Sequence, residues 1–319
     1  MDPDAARELK ARILERLPFV VQARSTTRDP DGPGPRVAVG LSPTQDGARV
    51  AVRLQREADR ALLPDLGRAA AAEVDIRVIG PIRLLSSPGQ LQRRVRPLRP
   101  GLSVAHPTVS AGTLGGFVRA GSELAILSNN HVLAASNAAA VGDAVLQPGP
   151  ADGGTPGDRV ATLARFRRLV AGATNLVDAA VATLDEGVEA EPGDLPGGPL
   201  LGQVPDGLDI DPEEAVEKIG RTTGLTHGRI TAVEVDAVAV QYDLDVVYRF
   251  DDQIEIVGRA GAFSAAGDSG SVVWRSRDRA PLGLLFAGSE IGGSAGTGVT
   301  FANPLSTVLA ALEVEWVAR

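Results

Sequence analysis

Apolar side chains recur at Leu9, Ile13, Leu14 and Leu17, a helical spacing that predicts a helix over residues 4–17. The pattern then shortens into alternating or β-rich runs set between Pro, Gly and Asp clusters. Residues 19–23, 37–41 and 50–54 read as strands, 62–72 as a helix and 74–79 as a further strand. Residues 1–92 are therefore expected to form a small α+β unit. A basic, proline-bearing stretch at 93–100 follows it and reads as a solvated linker.

From there the periodicity is that of β structure. Strand-like runs lie around Ser103 and at 114–119, 124–128, 144–147, 160–166 and 176–184, enough for one barrel over 101–186. Residues 187–214, rich in Pro, Gly and acidic side chains, read as a connection. A second set, 216–219, 229–239, 246–256, 271–274, 282–287 and 298–301, predicts another barrel within 215–319. The tail 304–312 reads as a closing helix with Asn303 as N-cap and Pro304 in its first turn. No long helical crossovers alternate with these runs, so tandem β-barrels are favoured over a parallel α/β sheet.

Composition narrows the reading. Apolar residues make up 44% of the 319, but aromatics only 3%, so the core must be built from Val, Leu, Ile and Ala, which suits packed strands. A net charge of -8 argues against a nucleic-acid groove, which needs a basic face. With no cysteine, neither disulfides nor thiolate metal sites can form. The amino-terminal stretch lacks a signal-peptide pattern and no run of about 18 apolar residues occurs, so a cytoplasmic, membrane-free setting is expected.

Three histidines limit the choice of a general base. His131 follows the apolar run Leu124-Ala125-Ile126-Leu127 and begins a small-residue stretch, which would put it at a barrel rim. Asp178 sits inside the apolar run Val177-Asp178-Ala179-Ala180-Val181, where an ionised carboxylate needs a partner or a solvated strand end. Ser269 lies in Gly267-Asp268-Ser269-Gly270, whose glycines permit a sharp turn aiming the Gly267 and Ser269 N–H groups into one cavity. A serine hydroxyl needs a base, a carboxylate to orient that base and an oxyanion cradle, and these residues offer each part. His106 and His227 read as structural or exposed, and Asp152-Gly153-Gly154 as a turn. The absence of an H-E-x-x-H motif or paired histidines leaves no metal or cofactor site to expect.

Ser128-Asn129-Asn130-His131-Val132-Leu133, Val177–Val181 and Gly267–Gly270 resemble the motifs of trypsin/chymotrypsin-like serine peptidases. The chain is most similar to a disulfide-free intracellular bacterial branch that resembles the narrow-leaf protein of plants. Four more stretches carry that likeness: Ala111–Gly115, Gln147–Gly154, Gly220–Gly228 and Phe301–Pro304. The resemblance implies a mainly β, chymotrypsin-like double β-barrel behind a small α+β domain, with a short C-terminal helix. It implies a serine peptidase acting on protein or peptide substrates, with His131, Asp178 and Ser269 as triad and Gly267 and Ser269 as oxyanion hole. Phe263 stands near where trypsin-like members place the acidic base of their specificity pocket, and Gly288 and Ser289 complete the candidate pocket. An apolar Phe263 gives an Arg or Lys side chain no partner, so small or apolar residues before the cut are expected. The rival readings are a quiet or gated scaffold on the same fold, or an esterase. Residues 1–92 have two candidate roles, gating the cleft or driving homo-oligomerisation.

Overall fold

The computed structural model describes residues 1–17, 37–64, 72–79, 82–83, 89–205, 211, 213–243, 246–293 and 296–319. The strand expected at 19–23 and most of the helix expected at 62–72 lie outside them. Helix α1 runs over Pro3–Leu14, with Asp2 capping it by accepting from the Asp4 N–H at 3.0 Å. The strands β1 (Val37–Thr44) and β2 (Gly47–Leu54) form an antiparallel hairpin, and β3 (Val74–Val78) adds in parallel to β2. A two-residue strand, β4 (Ile82–Arg83), comes next.

Strands β5 (Ser103–Val104), β6 (Gly112–Thr113), β7 (Gly116–Ala120), β8 (Glu123–Ser128), β9 (Ala144–Leu146), β10 (Arg159–Phe166), β11 (Thr174–Asn175) and β12 (Ala180–Leu184) make up the first β unit. Helix α2 (Asn130–Leu133) directly follows β8. The second unit holds β13 (Ala215–Gly220), β14 (Gly224–Asp236), β15 (Val238–Asp243), β16 (Val246–Phe250), β17 (Gln253–Gly258), β18 (Val272–Arg275), β19 (Pro281–Ser289) and β20 (Val299–Pro304). Helix α3 (Leu305–Leu312) and β21 (Glu315–Val317) end the chain.

The molecule is mainly β. Its second unit closes on itself in the order β13-β18-β19-β20-β17-β14, with β13–β14 pairing completing the six-stranded barrel. The first holds a six-stranded sheet, β21-β7-β8-β12-β10-β9, whose end strands do not pair with each other among the described residues, while β5 pairs with β6 and β11 joins β16 and β15 in a three-stranded sheet. The C-terminal strand β21, which carried no pattern signal, supplies one edge by pairing with β7.

Strand β14 is long enough to serve two partners in succession. Bulges between Ile230 and Ala232 and between Ala232 and Val235 bend it, so that its far end also pairs with β1. Close approach requires a glycine there: a Cβ on Gly40 would lie 2.6 Å from Val235 Cγ2. The N-terminal strands thus extend the sheet of the second barrel, and Ala6, Leu9 and Ile13 of α1 share its apolar cluster with Ile230, Ile254 and Phe263. Each buried Leu or Ile contributes about 1.5–3 kcal/mol. A buried ion pair crosses the same junction, Arg53 Nε to Glu255 Oε2 at 2.7 Å.

Several sequence expectations change, the run 229–239 among them, which divides between β14 and β15 at Ala237 with its φ of 62°. The single run 246–256 splits into β16 and β17, because Asp252 takes a left-handed φ of 62°. The run 176–184 is strand only from Ala180, leaving Asp178 on irregular chain. Asn303 does not cap α3: it stays in β20, Pro304 takes the cap position, and the Asn303 amide is used elsewhere. The basic segment 93–100 lies on the first unit, with Leu98 fully buried and Arg94 paired to Asp158 at 3.1 Å.

Candidate active site

The seam between the two β units collects the residues singled out above. Strand β8 delivers the chain to α2, which places His131 at the sheet's end with its side chain 7% exposed. His131 Nδ1 lies 2.5 Å from Asp178 Oδ2, and the His131 N–H donates to Asp178 Oδ1 at 3.2 Å. Both carboxylate oxygens therefore face one residue. The Asp178 backbone is held too: its N–H donates to Asn303 Oδ1 at 3.0 Å, and its carbonyl accepts from Asn129 Nδ2 at 2.7 Å. Asn303 in turn donates to Gln253 Oε1 at 2.6 Å. A fully buried carboxylate is stable there because each polar face has a partner.

Sequence reasoning missed a further partner. Tyr242 of β15 donates its hydroxyl to Asp178 Oδ2, the oxygen that faces His131, and its ring meets the imidazole edge-on at 5.5 Å between centroids. Burial, and next the Asp178 charge, raise the Tyr242 phenol well above its ordinary range, so it remains a donor through neutral pH. Nothing in a lone Tyr within an alternating strand signals this; only the fold brings β15 to the seam.

The serine loop is built around Asp268. Its carboxylate, fully buried, pairs with the equally buried Lys218 Nζ at 3.1 Å. It also accepts from the N–H groups of Thr222 at 2.9 Å, Thr223 at 3.2 Å and Ala265 at 2.9 Å, and from Thr223 Oγ1 at 2.6 Å. Burial pulls the Lys218 ammonium below the ordinary lysine range, against the opposing pull of Asp268. Gly267 and Gly270 take positive φ of 83° and 95°, which side-chain-bearing residues rarely adopt. The turn leaves the Gly267 and Ser269 N–H groups with no acceptor among the described residues.

Thr113 of β6 clamps this loop to the first unit. Its N–H donates to Ser269 O at 2.8 Å and its hydroxyl to Gly267 O at 2.7 Å, while its carbonyl accepts from Ser128 Oγ at 2.7 Å. Ser128 ends β8, three residues before His131, so one threonine ties the serine loop to the strand that leads into α2 and the histidine. Ser269 Oγ itself donates to Phe286 O at 3.4 Å, and no hydrogen bond joins it to His131. The structure thus joins His131 to Asp178 directly, and Ser269 to their neighbourhood through Thr113.

Asp152, read as part of a turn, has a larger part. Its buried carboxylate pairs with Arg221, whose Nε lies at 2.9 Å, and accepts from Ser103 Oγ at 2.5 Å. Arg221 lies against Gly267, where a Cβ would come within 2.9 Å of Arg221 Cδ. Of the candidate pocket residues, Phe263 is buried in the barrel's core cluster with Lys218 Nζ 5.8 Å from its ring centre. Gly288 pairs with Thr300 and Arg83, and the Ser289 hydroxyl donates to Ile79 O, with Ile291 O also within reach at 2.9 Å. His106 bonds Thr108 Oγ1 at 2.8 Å and Asp143 Oδ2 at 3.3 Å, and His227 lies 3.6 Å from Glu217 with its side chain 58% exposed.

No family model matches the chain, and no curated protein matches it in sequence. Among solved structures it is similar to a glutamic acid specific serine protease described as using a novel histidine triad in substrate binding, at 19% identity and a TM-score of 0.49, over 69% of this chain and 100% of that one. Thermobifida fusca Protease A is similar at 16% identity and 0.46, over 70% and 100%. Cellulomonas bogoriensis chymotrypsin is similar at 18% identity and 0.46, with the same coverage.

Proposed function

We propose that this chain is a serine endopeptidase that cuts peptide bonds through an acyl-enzyme on Ser269. The observation that carries the reading is the buried His131–Asp178 pair, tied through Thr113 to a serine loop with two N–H groups that find no acceptor among the described residues. His131 would take the Ser269 proton as the hydroxyl attacks, then deliver it to the leaving amine. Asp178 would hold the imidazole with Nδ1–H toward itself, leaving Nε2 to act as base. The Gly267 and Ser269 N–H groups would receive the oxyanion; losing one such donor typically costs about 10²–10³ in kcat. Small or apolar residues would precede the cut, since Ser264 on the loop after β17, Gly288 of β19 and Thr300 of β20, which lie together, offer an Arg or Lys no carboxylate. With no cysteine to oxidise, the chemistry suits a cytoplasmic setting.

The Ser269 hydroxyl bonded to Phe286 O favours a second reading, a gated enzyme whose serine turns to His131 only when substrate arrives. An esterase on the same residues is the third. Incubating wild type and Ser269→Ala with an unfolded protein and with a small ester separates them. The endopeptidase reading predicts fragmentation of the protein, with cuts after small or apolar residues, by wild type alone. Ester turnover without any protein cleavage, or cleavage strictly after Arg or Lys, would refute it.

A further inference from the structure

Strand β19 passes the serine loop at Phe286, whose carbonyl accepts from Ser269 Oγ. Beyond it come Ala287, Gly288 and Ser289, paired along one edge with β20. On the other edge β18 reaches only to Leu284, and the serine loop takes Leu285 through Gly270 N to Leu285 O at 2.8 Å and Leu285 N to Ser271 O at 2.9 Å. At Gly288 and Ser289 that edge is filled by this chain's own β4, antiparallel, with Arg83 opposite Gly288 and Ile82 opposite Ser289. Between the two, at Phe286 and Ala287, no strand pairs with the edge among the described residues.

The filling strand is anchored. Ser289 Oγ donates to Ile79 O, the Ile79 N–H donates to Leu54 O at 2.8 Å, and Ile79 is fully buried in one cluster with Phe286, Ala287 and Phe301. A Cβ on Gly292 would touch the Ile79 side chain at 2.8 Å, so the turn after β19 closes over the anchor.

A peptide attacked by Ser269 must bring its reacting residue beside Phe286. An extended peptide joins an open sheet edge by strand addition, its residues pairing one for one with those of the edge. Running antiparallel to β19, as β4 does, its residue two positions earlier falls opposite Gly288, where Arg83 already sits. We infer that this cleft pairs with no more than two residues before the scissile bond, because the chain's own Ile82–Arg83 fills the next positions. The inference rests on the serine peptidase reading. Substrates are then peptides that begin two residues before the cut or that turn away from β19 there, and earlier residues add no binding through this edge.

The test is a series of chromogenic amides with free amino termini and leucine before the amide, carrying two, three or four residues. For wild type, kcat/KM is expected to stay within about 3-fold along the series. An open edge would instead reward two further strand hydrogen bonds with about 10- to 30-fold. A rise of that size in wild type overturns the inference. In Ile82→Pro and Arg83→Pro, one of which removes the ladder N–H, the four-residue amide is expected to gain about 10-fold over the two-residue one. Flat length dependence in both, with melting transitions retained, overturns the role of β4. Hydrolysis of the two-residue amide by wild type and not by Ser269→Ala shows that the peptidase reading stands in either case; no hydrolysis of any member and no labelling of Ser269 by a fluorophosphonate would defeat that reading itself.

Discussion

Replacing Lys218 with Met removes the cation from a pair in which both side chains are fully buried, 3.1 Å apart. Asp268 keeps its three N–H donors and the Thr223 hydroxyl, yet its charge loses the only cation paired with it among the described residues. Stripping one partner from a buried pair costs about 3–5 kcal/mol, since the remaining charge is stranded in a poorly polarisable interior. At about 2–4 °C per kcal/mol, the melting temperature should fall by roughly 10 °C. The loss lands beside Ser269, so labelling of that serine by a fluorophosphonate should slow by about 10-fold or more. Adding Asp268→Asn removes the stranded charge but turns an amide NH2 toward the Ala265 N–H, so only part of the lost thermal stability should return. Scanning calorimetry on the three proteins, with labelling followed by intact mass, reads all of this. A Lys218→Met protein melting within about 2 °C of wild type and labelling at the wild-type rate would refute the claim that this pair holds the serine loop.

Tyr242→Phe removes one donor from the Asp178 carboxylate, and hydrogen bonds to charged groups are worth about 1.5–3 kcal/mol. Steady-state amide hydrolysis should show kcat down by about 10-fold with KM little changed. The folded-state phenol titrates above the unfolded one, so its stabilising contribution is complete below about pH 10 and is lost as pH rises toward the folded value; urea midpoints should fall less steeply above pH 10 in Tyr242→Phe than in wild type. Gly270→Ala places a Cβ against Ser128 Oγ and Thr113 O at a φ of 95°, and should abolish labelling of Ser269 while the protein still melts cooperatively.

Much of the fold was legible because its strands obey local pattern. The runs at 124–128, 271–274 and 282–287 each fall within an observed strand or a residue of it, since alternating Val, Leu and Ala leave little else for a half-buried segment to become. What escaped was set by long-range pairing. Strand β21 has no periodicity and exists because β7 offers an edge, and β1 joins the second barrel because β14 bends. At the site, His131, Asp178 and Ser269 stood out as chemically unusual residues in apolar or glycine-rich settings. Their supports did not. Thr113, Asp152, Lys218, Tyr242 and Asn303 look ordinary in sequence and acquire meaning only from the seam that gathers them. Four of those five stand in or beside the stretches that carry the family resemblance: Thr113 in 111–115, Asp152 in 147–154, Lys218 two residues before 220–228, and Asn303 in 301–304. Those stretches hold the serine loop and Asp178 in place.

In the proposed enzyme, His131, oriented by Asp178, makes the Ser269 hydroxyl reactive. Intact mass after fluorophosphonate treatment tests it most directly, with peptide mapping of the adduct, on wild type, His131→Ala, Asp178→Asn and Ser269→Ala. One adduct per wild-type chain is expected, on Ser269, formed at least about 10³-fold more slowly in His131→Ala and Asp178→Asn and absent in Ser269→Ala. An unlabelled wild type, or a Ser269 that labels equally fast without His131, would contradict it.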